Sequence, residues 1–347
     1  MAVTSPEALV AVAAGAGAWA SAQELRGVPG VRVAATPRHA TVLLIAGEIV
    51  DDDGEALRRV HDQLPRPRAV VAWRPVGAAA DVPARVVDDG DLDAVVTALR
   101  GAQAEVLADP ARGADDLLPD TEPNAWRGVG PFGQGGEGMM GGTPYGRPMT
   151  MTGEDRDGLA LDRLDLTLGP FLDALPGGHT LRVTLQGEVL QAAELTVRDD
   201  SDRRAHPTDP GLRAARRLLC RTAHGMHVAG LDALASRAAT LACRVTDDAD
   251  RTALVRAAGR LRRRVRHSGL LWTLRDVGTI GGADAADRWR TRLAALTAGL
   301  DGRTDDVAQA PARAAVEDAL VGMTMTDAVT TLASIDAPQS QLAMVTS

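Results

Sequence analysis

The stretch "PRHATVLLIAGEIVDDDGEALRRVHDQLPRPRAVVAW", from Pro37 to Trp73, decides the fold of the first third of the chain. Two apolar runs, "TVLLIAG" and "AVVAW", flank a segment that places Ala56, Leu57, Val60 and Leu64 at helical spacing. Unbroken apolar runs of this length read as strands buried on both faces, and the segment between them reads as a helix covering one face. Asp53 or the aspartates before it supply the N-cap, and Pro65 supplies the stop. The first of these strands is expected to end at Gly47. Upstream, "ALVAVAA" reads as another buried strand, and downstream "DDGDLDAVVTALRGA" reads as a closing helix with an acidic cap. Residues 1–105 are therefore expected to form an α/β domain, a small parallel sheet with flanking helices.

Beyond residue 105 the texture changes. Residues 106–158 include "GVGPFGQGGEGMMGGTPYGRPMTMTGEDRDG", rich in glycine and poor in branched apolar residues, which reads as a strap or linker. Trp126, Phe132, Met139, Met140, Tyr145 and Met149 lie in it, a concentration of aromatic and sulfur side chains that favours an ordered strap. Residues 159–347 are expected to form an α+β domain, a β-meander followed by a helical bundle. In the meander Leu181, Val183, Leu185 and Val189 alternate around a Gln186-Gly187-Glu188 turn. The stretch "GLRAARRLLCRTAHGMHVAGLDALASRAATLACRV" opens the helical part, and "ARAAVEDALVGMTMTDAVTTLASIDA" closes it as one shorter helical segment with a frayed end.

The 347 residues allow roughly two domains with separate cores. Aromatic residues make up only 2% of the chain, so the cores must be built from Ala, Val and Leu. The net charge of −8 argues against a nucleic-acid backbone as partner. Cys220 and Cys243 fit neither a zinc motif nor a disulfide framework, and they read as small buried hydrophobes. No apolar run is long enough to cross a bilayer, which takes about 20 residues, and no basic leader opens the sequence. A cytoplasmic chain is expected, with any membrane association made through a partner.

His224 and His227 stand at i, i+3 on an expected helix, close enough to share a ligand, but no third metal ligand follows at a recognisable spacing. Packing in a core or at an interface is the expected role, and no metal site is assigned. The run "GQGGEGMMGG" lacks the lysine and the strand-helix setting of a phosphate loop. Glu154, Asp155, Arg156, Asp157 and Asp162 form a charge cluster read as a solvated or paired face, and no catalytic residue is assigned there. The run "RLRRRVRHSG", with Arg262 and Arg263 at its centre, points to an acidic partner surface or to carboxylates paired within the chain.

The features "PR.A..LLIAG" and "ALRRVHDQLP.PR", with the strand that follows, resemble the cluster-bearing B subunit of respiratory complex I (NADH-quinone oxidoreductase). They also resemble the small subunits of related membrane-bound nickel-iron hydrogenases. "LTLGPFLDALPGGHTLRVTLQGEVLQAAEL", "AGRLRRRVRHSGLLWTLRDVG" and "DALVGMTMTDAVTTLASIDA" resemble the complex I D subunit and the hydrogenase large subunit, with a central part deleted. In that family cysteines hold a tetranuclear iron-sulfur cluster. The corresponding places here read "AAGAGAWASAQ", "RPVGAAAD" and "PARVVDDGD", with no cysteine in any of them. Cluster ligation needs thiolates at fixed positions, so the resemblance implies a fused, degenerate relative with no cofactor.

What the resemblance implies is a non-redox peripheral subunit on the cytoplasmic face of the membrane, without enzymatic activity of its own. It would dock on antiporter-like, ion-translocating membrane subunits and other complex I-like subunits, stabilising them or coupling to them. Trp126, Phe132, Met139, Met140, Arg262 and Arg263 are the expected docking residues. The alternative is a subunit that binds quinone or another small ligand between the halves through His179, His224, His227 and Tyr145. His179 stands where the family carries a β-turn histidine.

Overall fold

In a computed structural model, residues 7–15, 17–88, 91–119, 151–154, 160–198, 207–302 and 311–336 are described. The Pro37–Trp73 stretch folds as its pattern dictates. Strands β1 (Ala8–Ala14), β3 (Val42–Ile49) and β4 (Ala69–Gly77) form the centre of a parallel sheet, and β2 (Val31–Val33) and β5 (Arg85–Val87) complete its edges. The strand order is β2-β1-β3-β4-β5. This is a doubly wound arrangement whose order reverses between β1 and β3.

Helix α2 (Gly54–Gln63) covers one face, burying Leu57 against Leu43, Ile45, Val70 and Ala72. Helix α3 (Leu92–Ala108) covers the other, with Val95 and Leu99 against Val10, Leu44, Val71 and Trp73. Odd and even residues of one strand thus feed different cores, the period of two that a pleat imposes. Asp91 caps α3 by accepting from the Ala94 amide at 3.0 Å. Two local expectations need correction. Strand β3 does not stop at Gly47 but continues to Ile49 through an irregularity between Ala46 and Glu48, where Gly47 takes φ +79°. The side chain of Asp53 makes no cap hydrogen bond, because a single 3₁₀ turn, Asp51–Asp53, leads the chain into α2.

The second region holds an antiparallel sheet in the order β6-β7-β8-β9: β6 (Met151–Glu154), β7 (Ala160–Leu168), β8 (His179–Gln186) and β9 (Val189–Val197). The β8–β9 hairpin closes at Gly187-Glu188, with Gln186 paired to Val189 and Gly187 at φ +58°. The long helical stretch after it divides into α4 (Pro210–Val228) and α5 (Asp232–Cys243), broken at Gly230, φ +72°. There follow α6 (Arg251–His267), the short α7 (Leu270–Thr273) and α8 (Ala285–Leu300). The closing segment is not one helix but two, α9 (Arg313–Leu320) and α10 (Met325–Ser334). These last two pack on the antiparallel sheet, burying Val316, Leu320 and Leu332 with Leu181, Val183 and Leu195.

The remaining helix, α1 (Trp19–Glu24), leaves the carboxyl end of β1 and enters the core of the helical region. There Trp19, Ala20 and Ala22 pack with Leu219, Ala223, Ala239 and Leu241. The turn after α1 lies so close to α5 that a Cβ on Gly27 would stand 2.2 Å from the Thr240 amide nitrogen. No helix among the described residues is long and apolar enough to cross a membrane.

Candidate functional site

The segments that the resemblance would set at cluster-bearing places follow or end parallel strands, and so gather at the carboxyl edge of the sheet. Ala13–Gln23 runs from β1 into α1, Arg74–Asp81 ends β4, and Pro83–Asp91 contains β5. This edge, at the β1/β3 reversal, is where open α/β sheets take ligands. Between β1, β3 and β4 the backbone closes it: a Cβ on Gly15 would stand 1.9 Å from the Glu48 carbonyl oxygen, and one on Gly77 2.3 Å from that of Ile49. Toward α3 and α5 a groove of about 960 Å³ stays open, with Glu24, Arg74, Asp91, Arg216 and Asp247 in its lining. Arg74, at φ +50°, turns its guanidinium over the Trp73 ring at 5.7 Å. Cys220 is buried in α4, and Cys243 at the end of α5 lies 3.7 Å from the Glu24 carbonyl oxygen. The residues present do not fit a tetranuclear cluster.

What the edge meets is the second region. Glu24 of α1 and Arg216 of α4 form an ion pair with side chains only 2% and 8% exposed. Arg26 reaches the loop between β7 and β8, where its Nη2 donates to Asp173 Oδ1 at 2.5 Å. Arg198, just past β9, reaches back to Asp53 at 3.1 Å.

The three candidate histidines converge on the loop that carries Asp173. His224 is buried and donates from Nε2 to the Asp173 carbonyl at 3.1 Å, its ring edge-on to Trp19 at 5.3 Å. Its partner is a carbonyl, and its ring is fully buried beside Trp19. Burial therefore pushes its pKa down to about 3, against a smaller upward pull from the Asp173 carboxylate. His179, also buried, donates from Nδ1 to the Gly177 carbonyl at 3.0 Å. Burial lowers it to about 4, helped by the nearby Arg221 guanidinium. Both rings are neutral near pH 7.

His227 is the opposite case. Its Nε2 faces Asp173 Oδ2 at 2.9 Å and its Nδ1 faces Asp232 Oδ1 at 2.7 Å, so carboxylates meet both ring nitrogens. The Asp173 contact raises its pKa above the ordinary value despite partial burial. Burial alone would raise the Asp173 carboxyl, but Arg26 and His227 outweigh it and hold it well below the usual carboxylate range. The arrangement is thus a charged Arg26-Asp173-His227 chain beside two neutral rings.

Sequence spacing brought out His224 and His227, and the resemblance His179, but neither pointed to Asp173, Arg26 or Trp19, which complete the cluster. Arg26 and Asp173 are 147 residues apart, and nothing local marks them as partners. Beside the cluster, Val12, Trp19, Gln23, Phe171 and Leu175 bound a cavity of about 20 Å³, room for no more than a solvent molecule.

Arg262 and Arg263 are exposed on α6, and no described residue forms an ion pair with either, so the expectation of carboxylates paired within the chain is not met there. Trp126, Phe132, Met139, Met140 and Tyr145 lie outside the described residues, as do the glycine run between them and most of the Glu154–Asp162 charge cluster. Among the described residues no group of three or more His, Cys, Asp or Glu could hold a metal ion. No protein-family model, no curated protein and no solved structure matches this chain.

Proposed function

We propose that the chain is a non-redox peripheral subunit of a complex I-like or hydrogenase-related membrane assembly. In this reading it sits on the cytoplasmic face of the membrane and docks on antiporter-like subunits. The observation that carries the reading is what has become of the carboxyl edge of the parallel sheet. The crevice at the strand-order reversal is closed by backbone contact at Gly15 and Gly77, and the groove left open beside it toward α3 and α5 has one sulfur ligand, Cys243, in its lining. The edge is bolted to the second region through Glu24–Arg216 and Arg26–Asp173. A chain kept for electron transfer needs ligands at that edge, whereas a chain kept for its outer surfaces needs only a rigid frame.

The test is isolation of the tagged chain from its own host in mild detergent, with mass spectrometry of co-purifying chains and iron analysis of the same sample. Antiporter-like membrane chains, with no iron on this subunit, are the expected result. Stoichiometric iron and sulfide on the chain, or isolation without any membrane partner, would overturn the proposal.

A second reading, a quinone- or small-ligand-binding subunit, draws on the Asp173–His227 pair beside the junction cavity. With about 20 Å³ free there, it requires the loop Gly169–Gly178 to move away from Trp19. Binding of a quinone that is abolished by His227→Gln would favour it.

A further inference from the structure

The face formed by α5, α6 and α7 differs in charge from the rest of the molecule. Between Arg251 and Arg275 the sequence contains eight arginines and no aspartate or glutamate, in a chain whose net charge is −8. Arg237 of α5 and Arg260, Arg263, Arg264 and His267 of α6 line a groove of about 620 Å³, floored by Ala233 and Leu234. These arginines are exposed, and no ion pair with a described carboxylate engages them. Exposed guanidinium groups in an acidic protein ordinarily find carboxylates of their own chain, so a face that keeps its cations free is built for an external anion.

The end of the same helix carries a second feature. Helix α7 is held to the body by Leu270 and Leu274, 6% and 5% exposed, and this seating leaves Trp272 71% exposed. It is a bulky aromatic ring presented to solvent in a chain with only five tryptophans. Indole rings settle at the boundary between headgroups and acyl chains, and arginines extend their heads to lipid phosphates while their stems lie on apolar surface.

We infer that the α5–α6–α7 face binds directly to an anionic phospholipid surface, with the arginines on headgroup phosphates and Trp272 at the headgroup boundary. Breadth favours a bilayer over an acidic protein segment. Arg262 and Arg266 extend the basic surface around α6 beyond the groove, and a diffuse sheet of phosphates suits a spread of cations that a single helix or loop would leave partly unused. The inference goes beyond docking on membrane subunits, because it requires no protein partner.

The test uses the purified full chain with vesicles of phosphatidylcholine alone and of phosphatidylcholine mixed with phosphatidylglycerol, read by co-sedimentation. Binding is expected only to the anionic vesicles, weakening as salt is raised. The triple variant R260Q/R263Q/R264Q should weaken partitioning on the order of a hundredfold, at roughly fivefold per arginine. Trp272→Phe should abolish the emission shift that accompanies binding. A control variant at the exposed sheet arginines, R163Q/R182Q, removes the same kind of charge elsewhere and should bind as the parent does. Circular dichroism confirms that each variant is folded. The inference fails if the parent chain ignores anionic vesicles, or if the control loses as much affinity as the triple variant. It also fails if the triple variant binds vesicles normally yet loses a co-purifying acidic chain, since the face would then belong to a protein partner. Failure here leaves the isolation experiment above untouched, so the two proposals are separable.

Discussion

The neutral histidines at the junction predict a particular loss of stability in mild acid. His179 and His224 titrate near 6.5 in the unfolded chain, but at about 4 and about 3 in the fold. Both folded values are depressed, so their contribution is fully present above pH 6.5. It is lost as pH falls, because the unfolded chain takes up protons that the folded chain refuses. Each such proton costs about 1.4 kcal/mol per pH unit, so the pair produces a slope of about 2 to 3 kcal/mol per unit between pH 6 and pH 4.5. His227 has a raised folded pKa. Its stabilisation is present in full below 6.5 and lost as pH rises through the folded value, so it adds little slope in that window. Asp173 is depressed, and its contribution is lost only as pH falls from about 4 through a folded value below the usual range. The two buried rings therefore dominate the window from 6 to 4.5, while Asp53, whose carboxyl pKa is raised by burial, opposes the slope toward its acid end.

The assay is urea unfolding at a series of pH values on the parent chain and on H179N/H224Q. Asparagine presents its amide near the position of Nδ1, and glutamine near that of Nε2, so the donors to the Gly177 and Asp173 carbonyls are retained without a titrating ring. The double variant should lose most of the slope, whatever its stability at pH 7. A parent chain whose stability is flat over this window, or a double variant that keeps the parent slope, would refute the reasoning.

Glu24→Gln should destabilise the chain by about 3 to 5 kcal/mol in the same urea assay, because it removes the carboxylate charge from a buried ion pair with Arg216. The loss should come with exposure of α1, read as faster hydrogen exchange at Ala20–Glu24 than in the parent. Gly177→Ala would place its Cβ 2.1 Å from the Trp19 ring, and overpacking of that kind costs about 1 to 3 kcal/mol. Near-UV dichroism should report the displaced indole, and an unchanged spectrum with unchanged stability would mean that the loop is not seated on Trp19.

Legibility in the sequence followed burial. Strands β1, β3 and β4 were readable because burial on both faces leaves unbroken apolar runs, and the β8–β9 hairpin because its Gly187 turn and alternating residues agree. The edge strands "VRV" and "RVV" were not, since three residues give no period and only pairing with β1 and β4 makes them strands. The break between α4 and α5 turns on Gly230, a lone glycine inside an otherwise periodic run. At the junction, helical spacing singled out His224 and His227. Their role depends on Asp173 and Arg26, supplied by distant loops, and no sequence period encodes a contact of that kind. The arginine run of α6 was plain to see, but whether carboxylates neutralised it depended on which faces the fold brought together.

The most informative feature of the fold is where the chain uses its sheet edge. In a doubly wound sheet the crevice at the strand-order reversal is the natural place for a ligand, because strand ends and helix starts leave backbone groups free there. Here the first segment out of that crevice is α1, and its Trp19 lies in the core of the helical region and not in that of the sheet. The division between cores consequently does not follow the sequence order of the two regions. A helix from the first completes the hydrophobic core of the second, and Glu24, Arg26 and Asp53 hold the seam with charge. Separating the regions would expose Trp19 and break the Glu24–Arg216 ion pair, a cost in both apolar area and buried charge. Relative motion between domains is the usual expectation where an interface is small and polar. A shared core with buried ion pairs opposes such motion, which is the mechanical property that a docking frame requires and that an opening ligand cleft would have to give up.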